Sequence, residues 1–305
     1  MINEYVNKLI ENLPDEFKNS NTPLKLDLIL DGGLFNGSYL VGALYFLKEM
    51  ERRGYVKVER ISGCSVGSIA AFLYFIDGLD LMTTLYSSIL KEFKQNCNLS
   101  FLKKLKTYLG DNIPVDVCEK VNNKLYITYN NIKKGTKPVK CTYKNADEIF
   151  ITIIRSSYIP YLIDGHILHD NKCMDGFTPY IFNEEPHKKI LYLDLFGYDK
   201  ICNLLNVKNE KNNYHRVLSG LLDIHSFYIK QSNTQMCSYV NDWSIINITF
   251  NYLKLLLEKI CVYITFFLIF IKKYISKDVE NSIFYKIFSK IIKDIFVIMI
   301  ETYCL

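Results

Sequence analysis

The chain has 305 residues, 49% of them hydrophobic, which is enough for one large domain with an additional segment. Its net charge of +5 is small for a nucleic-acid-binding protein, and no motif typical of RNA or DNA binding is present. The nine cysteines include no C-x-x-C pair, which argues against a zinc site or a disulfide framework and favours reduced thiols in a cytosol-like compartment.

The N-terminal segment, residues 1–23, predicts a polar helical lead-in that ends at Pro23. It lacks a basic stretch followed by an apolar run, which is the pattern of a signal peptide. We therefore expect a cytoplasmic protein.

A strand–turn–helix–strand unit follows. Leu26–Leu30 predicts a buried strand, which Asp31-Gly32-Gly33 interrupts. The apolar pattern of residues 37–47 predicts a helix that stops at Gly54, and Val56–Ile61 predicts a second strand because it alternates and is β-branched. This βαβ order implies parallel strands with a right-handed crossover.

The second strand leads into Gly63-Cys64-Ser65-Val66-Gly67, which matches G-x-S-x-G, and residues 68–75 predict a helix. A serine on a sharp strand-to-helix turn exposes its hydroxyl to the first free N–H groups of the helix. Gly63 and Gly67 allow the strand and the helix to approach closely. Ser65 is therefore the candidate nucleophile, and Cys64 is a weaker alternative because the motif centres on the serine.

A serine nucleophile also needs backbone amides that hold the oxyanion and a base that takes its proton. The glycine-rich turn Asp31–Gly37 follows a strand and opens a helix, so its N–H groups can converge on one point. It has neither the lysine of a phosphate-binding loop nor the G-x-G-x-x-G spacing, which argues against a phosphate or dinucleotide site.

Two kinds of base are open from the residues alone. A hydrolase triad needs a histidine late in the chain, and none of the five histidines lies in an obvious loop after a final core strand. A carboxylate within hydrogen-bond reach of the serine can act directly. Asp175-Gly176 and Asp164-Gly165 each place an aspartate on a tight turn, and spacing does not choose between them.

Further elements are predicted in the middle of the chain. Residues 77–135 have a mostly helical pattern, and Val139–Tyr143 predicts a strand. Asn145 with Glu148 forms a capping box that opens another helix. Lys189–Leu195 predicts a further buried strand.

Residues 244–305 predict a hydrophobic helical tail. The apolar run Ile260–Ile271 is shorter than the ~20 residues that cross a bilayer, and a spanning helix would have to bury the charges of Lys254, Glu258 and Lys259. Residues 283–305 place lysines on one helical face and apolar residues over most of the rest, which is typical of a helix at a membrane interface. The alternative is that both helices pack on the core.

The D-G-G turn, the G-x-S-x-G motif about thirty residues later and a D-G pair in mid-chain occur in the order that resembles the patatin-like phospholipase family, over about residues 24–197. Ser156–Pro160 is similar to the segment that precedes the family's aspartate. The resemblance implies an α/β fold with a three-layer α/β/α arrangement and a mainly parallel central sheet. We expect a lead-in at 1–23, a catalytic domain at 24–243 and the tail at 244–305.

The resemblance also implies a Ser-Asp dyad, in which Ser65 is the nucleophile and Asp175 the base, with the N–H groups of Gly32 and Gly33 as the oxyanion hole. The family hydrolyses acyl esters of phospholipids without a metal or cofactor, so this chain is expected to release fatty acids from membrane lipids, which the tail would reach. The supporting motif residues are Asp31, Asn36, Gly37, Gly63, Gly67 and Gly176.

The chain departs from the family pattern D-G-G-G-x-[KR]-G. Leu34 replaces the third glycine and Asn36 the basic residue, whose loss beside an oxyanion costs a few kcal/mol; the Asn36 amide is the candidate donor in its place. Phe177 stands where the family often has a small residue. Two alternatives stay open: a catalytically impaired membrane-binding protein of the same fold, and a soluble acyl-protein or small-ester hydrolase that does not need residues 244–305.

Overall fold

The computed structural model describes residues 2–18, 22–197, 200, 203–208, 210–274 and 282–303. The helices in these ranges are α1 (Ile2–Glu11), α2 (Asp15–Lys18), α3 (Gly37–Arg52), α4 (Val66–Phe75), α5 (Leu81–Asn96), α6 (Leu105–Leu109), α7 (Val117–Val121), α8 (Ala146–Ser156), α9 (Tyr214–Lys230), α10 (Ile245–Tyr274) and α11 (Ile283–Tyr303). The strands are β1 (Leu24–Leu30), β2 (Val56–Gly63), β3 (Leu125–Thr128), β4 (Asn130–Asn131), β5 (Val139–Lys140), β6 (Cys173–Met174), β7 (Lys188–Leu193) and β8 (Cys237–Tyr239).

The central sheet has six strands in the order β5-β3-β2-β1-β7-β8. Its four inner strands run parallel, and the edge strands β5 and β8 are antiparallel to their neighbours. In the middle of the sheet, the last residue of β1, Leu30, pairs with Gly63 on one side and Leu193 on the other. The turns that follow β1 and β2 therefore meet at one edge of the sheet, where sites form in parallel α/β folds.

Alternation along β1 divides the core between the two faces of the sheet. Leu28 and Leu30 belong to a large apolar cluster with residues of α1, α3, α4 and α9. Ile29 belongs to a smaller cluster on the other face, which includes Tyr192 of β7. At the carboxyl end of that second face, Lys254 of α10 lies over the Tyr192 ring, 5.2 Å from its centroid. The sheet is thus enclosed between a helical layer and a layer that includes α10.

The predicted βαβ unit and the helix after the G-x-S-x-G motif are present as β1, α3, β2 and α4. The predicted strand at 189–195 is β7, which begins and ends earlier. The prediction for residues 77–135 was incomplete: α5, α6 and α7 lie there, but the segment also contains β3, which joins the sheet beside β2, and the short β4.

The capping box at the start of α8 forms only in part. The Asn145 side chain accepts a hydrogen bond from the Glu148 N–H at 2.9 Å, as predicted. The Glu148 carboxylate accepts from the Lys144 N–H instead of the Asn145 N–H and also pairs with Lys140 of β5. The predicted strand at 139–143 is therefore a two-residue edge strand held against α8 by a side chain.

The two helices of the tail are α10, with 30 residues, and α11, with 21. Among the helices within the described ranges, none combines the length and the apolar character needed to cross a membrane. The predicted apolar positions Phe288, Ile292 and Phe296, and the predicted basic position Lys293, have side chains outside the described part of the chain.

Candidate active site

Ser65 sits at the start of α4 with φ 50° and ψ −129°. A positive φ is costly for a residue with a side chain, so the surrounding contacts must hold this conformation. Its N–H donates to the Ser156 carbonyl at 3.1 Å and to the Ser156 hydroxyl at 3.0 Å, and its own carbonyl accepts from the Ser68 hydroxyl at 2.6 Å. The result is the sharp strand-to-helix turn that the G-x-S-x-G motif predicted.

Small residues allow the backbones to meet at this turn. A Cβ atom at Gly63 would lie 2.6 Å from the Gly67 carbonyl oxygen, and one at Gly67 would lie 2.5 Å from the Leu30 carbonyl oxygen. A Cβ at Gly37 would lie 2.2 Å from the side chain of Val66. A larger residue at Gly63 or Gly67 would push α4 away from the ends of β1 and β2, and one at Gly37 would push α4 away from α3.

Asp175 lies directly after β6 and is almost completely buried. Its N–H donates to the Tyr158 carbonyl at 2.9 Å, and the Gly176 N–H donates to the Ser156 carbonyl at 3.3 Å. Ser156 therefore binds the backbones that carry both Ser65 and Asp175, and the Ser65 hydroxyl is near enough to the Asp175 carboxyl group to lower its pKa. The segment after α8 thus brings together two residues that are far apart in the sequence.

Burial raises the pKa of Asp175 to about 7. Hydrogen bonds from the Phe177 N–H, at 2.8 Å, and from Ser65 lower this pKa, whereas the charge of Glu258 raises it and that of Lys137 lowers it. A carboxylate with a pKa near neutrality suits a general base, because it is ionised at physiological pH and still has a substantial proton affinity.

The alternatives to Ser65 and Asp175 lack this environment. Burial raises the pKa of Asp164, but hydrogen bonds from Lys103 and Tyr158 outweigh it and lower this pKa to about 2, which makes the carboxylate a weak base. The Cys64 thiol is buried, lies 3.3 Å from the Phe177 carbonyl oxygen, and has a pKa raised well above its ordinary value by burial. A reactive cysteine needs the opposite shift.

Several of the histidines make their contacts elsewhere. His169 lies 3.2 Å from Asp170, His215 pairs with Glu210, and the ring of His225 packs against an aromatic ring of α3. Within the described ranges, no group of three or more His, Cys, Asp or Glu side chains is arranged to hold a metal ion.

The glycine-rich turn after β1 lies against the nucleophile. A Cβ atom at Gly32 would stand 3.2 Å from the Ser65 Cβ. The Gly32 N–H donates to the Asp31 carboxylate at 3.0 Å, whereas the Gly33 N–H makes no hydrogen bond within the described part of the chain. Of the two N–H groups, that of Gly33 is therefore the better placed to donate a hydrogen bond to an oxyanion.

Asp31 is completely buried and has a cation from the tail as its partner. Lys254 donates to the Asp31 carboxylate at 2.7 Å and to Asp194 at 2.9 Å, and the Tyr192 hydroxyl donates to Asp31 at 3.1 Å. Burial raises the pKa of Asp31 to about 6, and Lys254 opposes that rise. The contact between Lys254 of α10 and the Asp31 carboxylate therefore fixes the first residue of the glycine-rich turn.

The two departures from the family pattern have distinct structural outcomes. Leu34 has φ 48°, a conformation that favours glycine, so the missing third glycine leaves a strained residue. The proposed role of the Asn36 amide was wrong: its NH₂ group donates to the carbonyls of Leu195, at 3.2 Å, and Lys200, at 2.9 Å. Asn36 is fully buried and ties the turn to the segment after β7.

A basic side chain reaches this turn from α9. Arg216 is only 1% exposed, and its Nη1 donates to the Asn36 Oδ1 at 2.6 Å across 180 positions of sequence. Its Nη2 donates to Glu210 at 2.6 Å. Sequence reasoning missed Arg216 because no local motif marks it.

An apolar cavity of about 60 Å³ opens beside Ser65. Ser157 contributes one of its few polar groups, and Leu34 forms part of its wall. The apolar lining includes Leu34, Val66, Ile69, Met82, Leu85 and Ile89. A hydrocarbon chain would be desolvated in such a cavity, whereas a charged or strongly polar group would lose its hydration.

Comparison with known proteins identifies the domain that contains these residues. The family model "Patatin-like phospholipase" matches residues 28–178, about half of the chain. No curated protein matched. Among solved structures, the chain is similar to VipD from Legionella pneumophila, with 14% identity and a TM-score of 0.33 over 56% of this chain and 49% of that chain, so it spans about half the length of VipD.

The matched residues include the glycine-rich turn, Ser65 and Asp175. The fold has the mainly parallel sheet and flanking helices of that family, followed by a helical C-terminal region. The chain belongs to the patatin-like phospholipase family.

Proposed function

We propose that this protein is a serine lipid acyl hydrolase, of phospholipase A or esterase type, that uses Ser65 and Asp175 as a catalytic dyad. The observation that carries the proposal is that Ser156 holds the backbones of Ser65 and Asp175 together, so that the Ser65 hydroxyl lies beside the buried Asp175 carboxyl group. It gives the hydroxyl a base with a pKa of about 7 and needs no imidazole between the two groups.

In this mechanism, Asp175 takes the proton of Ser65 as its oxygen attacks the ester carbonyl. The Gly33 N–H stabilises the tetrahedral oxyanion, and the Gly32 N–H can join it only after leaving the Asp31 carboxylate. Asp175 returns the proton to the leaving alcohol, then activates the water that releases the fatty acid from Ser65. Because Asp175 must be ionised to start the cycle, kcat/KM rises as the pH passes through about 7.

The apolar cavity beside Ser65 supports an acyl substrate. Its wall, which includes Leu34 and Met82, is close enough to the hydroxyl to take the start of a hydrocarbon chain while the ester remains at the dyad. This arrangement favours a lipid over a small polar ester.

The tail supports peripheral association with a membrane through residues 244–305. Phe267 is 62% exposed, and Phe284 of α11 is 86% exposed. Exposed apolar side chains of α10 also include Leu253, Leu257, Ile260, Ile264 and Ile271. Contiguous apolar surface of this kind marks an interaction site, and a lipid substrate makes the membrane the fitting partner. We accordingly assign residues 24–243 to catalysis and 244–305 to membrane contact.

The decisive experiment measures fatty-acid release from phospholipid vesicles by the wild type, Ser65→Ala and Asp175→Asn. We expect each substitution to lower the rate by roughly 10²- to 10⁴-fold, the scale of a lost nucleophile or general base. His166→Ala and His169→Ala serve as controls and should keep wild-type rates. Equal rates in the wild type and both dyad variants would refute the mechanism, and a collapse in a histidine variant would favour an imidazole base.

A second candidate function is membrane binding without efficient catalysis. It is favoured by the strained Leu34 and by the Gly32 N–H, which is already bound to Asp31. An active-site fluorophosphonate probe separates the two functions. Labelling of the wild type but not of Ser65→Ala supports the hydrolase, whereas a folded protein that binds vesicles without Ser65-dependent labelling supports the second candidate.

A further inference from the structure

The helix α10 turns two of its charged residues toward the protein and many of its apolar residues away from it, while Lys259, Lys272 and Lys273 are exposed. These two residues, Lys254 and Glu258, are one helical turn apart; Glu258 is buried, and the Lys254 side chain is 9% exposed. Farther along the same face, Thr265 is also buried, while Leu257 and Phe267 are more than half exposed. An ordinary surface helix has the opposite arrangement, so the buried charges need an explanation of their own.

The Glu258 carboxylate is 5% exposed and has three hydrogen-bond donors. Its Oε1 accepts from the Asn130 side-chain amide at 2.9 Å. Its Oε2 accepts from the Thr178 hydroxyl at 2.5 Å and from the Lys137 ammonium group at 2.7 Å. A buried carboxylate is costly unless it is paired in this way, and the pairing rarely improves stability over an apolar contact. Glu258 is therefore explained poorly by stability alone.

The partners of Glu258 hold the chain at Asp175 and three residues after it. The Asn130 amide that binds Glu258 also donates to the Asp175 carbonyl at 2.8 Å. Thr178, three residues after Asp175, has its own carbonyl bound by the Thr128 hydroxyl at 2.9 Å. Glu258 thus links Asn130, which binds the Asp175 carbonyl, to Thr178, which lies at the end of the turn that follows Asp175.

We propose that Glu258 is a positioning residue of the active site, which holds the backbone around Asp175 and so directs the Asp175 carboxylate at Ser65. The inference rests on the proposed function, because it assigns Glu258 a part in the same reaction. It makes α10 a component of the catalytic unit as well as a carrier of apolar surface. The proposed division at residue 244 then separates two segments that form one site.

The charge of Glu258 acts on the pKa of Asp175, so the pH profile of kcat/KM, which a purely structural contact would not affect, reports a positioning role. The groups that face Asp175 are Glu258 from α10, Lys137 from the segment before β5, and the neutral Cys64 thiol at the end of β2. Glu258→Gln removes a negative charge and leaves the charge of Lys137 unbalanced. Both changes lower the pKa of Asp175, so the acid limb of the kcat/KM profile should move to lower pH.

The test uses the full chain and p-nitrophenyl butyrate, a water-soluble ester, so that membrane binding does not enter. Profiles from about pH 5 to about pH 9 are compared for the wild type, Glu258→Gln and Glu301→Gln. Glu301 is an exposed glutamate of α11 and gives the same chemical change away from the site. We expect Glu258→Gln to lower kcat by roughly 10- to 100-fold and to shift the acid limb downward, with Glu301→Gln like the wild type.

A conservative variant separates charge from position. Glu258→Asp keeps the charge but shortens the side chain by one methylene, so it should lower kcat while its acid limb stays at the wild-type pH. Circular dichroism and thermal unfolding identify a variant that fails to fold, and Glu258→Asp then carries the test if Glu258→Gln does not fold.

Two results would overturn the inference: wild-type kinetics in Glu258→Gln, or a lower kcat with an unmoved acid limb, which is the effect of a general loss of structure. Ser65→Ala and Asp175→Asn are measured in parallel. If both retain activity, the proposed function itself has failed. If both lose activity while Glu258→Gln behaves as the wild type, only the role of Glu258 has failed.

Discussion

The burial of Asp175, a candidate catalytic group, lowers the stability of the folded state. The folded chain places this carboxylate in a buried site, where its pKa is about 7 instead of the ordinary 3.8. An acid whose pKa is raised by folding destabilises the folded state as the pH rises between these two values. The same burial gives the group the proton affinity that a general base needs.

We therefore expect Asp175→Asn to be more stable than the wild type above about pH 7, by at most about 4 kcal/mol, and to lose that advantage near pH 4. Urea unfolding at the two pH values measures the difference. Asp164→Asn is the matched control with the opposite sign, because the pKa of Asp164 is lowered by folding and its ionised form stabilises the protein. An Asp175→Asn advantage that does not change with pH would contradict the explanation.

A residue of the candidate site could be predicted from the sequence only where its motif lies within a few consecutive positions. Ser65 and the glycines around it lie within five consecutive residues, so their motif is visible in the sequence. Spacing did not choose between Asp175 and Asp164, because the choice depends on which turn the segment after α8 brings to Ser65. Arg216 reaches the glycine-rich turn from 180 residues away and has no local signature.

Among the helices and strands, α10 has an exposed apolar surface whose role in vesicle binding can be tested by a single substitution. Phe267→Glu places a charge in the middle of this surface and should weaken binding to phospholipid vesicles at least tenfold, since a buried aromatic side chain contributes ~1.5–3 kcal/mol. Turnover of p-nitrophenyl butyrate should stay at the wild-type rate. Thr249→Glu adds the same charge at an exposed polar position of α10 and should bind nearly as the wild type does. Equal vesicle binding by Phe267→Glu and Thr249→Glu would exclude this surface from the interface.

The elements themselves were predictable where their patterns are long. The strands β1 and β2 and the helices α3 and α4 have strong periodic or alternating patterns, whereas β3 and β8 have four and three residues and leave no clear pattern. The sequence marks Lys254 and Glu258 only as charges that a membrane-spanning helix would have to bury. Their partners lie on β4 and in the segments that follow β1 and β6, which no helical pattern reveals.

At the scale of the whole molecule, charge and apolar surface act in the same direction. The chain has a net charge of +5, and the tail exposes Lys272, Lys273, Lys286 and Lys290 close to its apolar residues. Apolar burial in a membrane is insensitive to salt, whereas attraction to an anionic surface is screened over ~10 Å at 0.1 M salt. The two contributions can therefore be separated by ionic strength.

We expect co-sedimentation with vesicles that contain phosphatidylserine to exceed that with phosphatidylcholine vesicles at low salt, because each lysine near an anionic surface contributes ~1 kcal/mol. The excess should shrink as salt is added, and the remaining binding should match that to phosphatidylcholine, since the apolar contacts of α10 and α11 persist. Lys272→Gln combined with Lys273→Gln should reduce only the salt-sensitive part, and Phe267→Glu mainly the residual part. Equal binding to both vesicle types at low salt would show that the basic residues of the tail do not face the membrane, and would leave its apolar surface as the only basis for attachment.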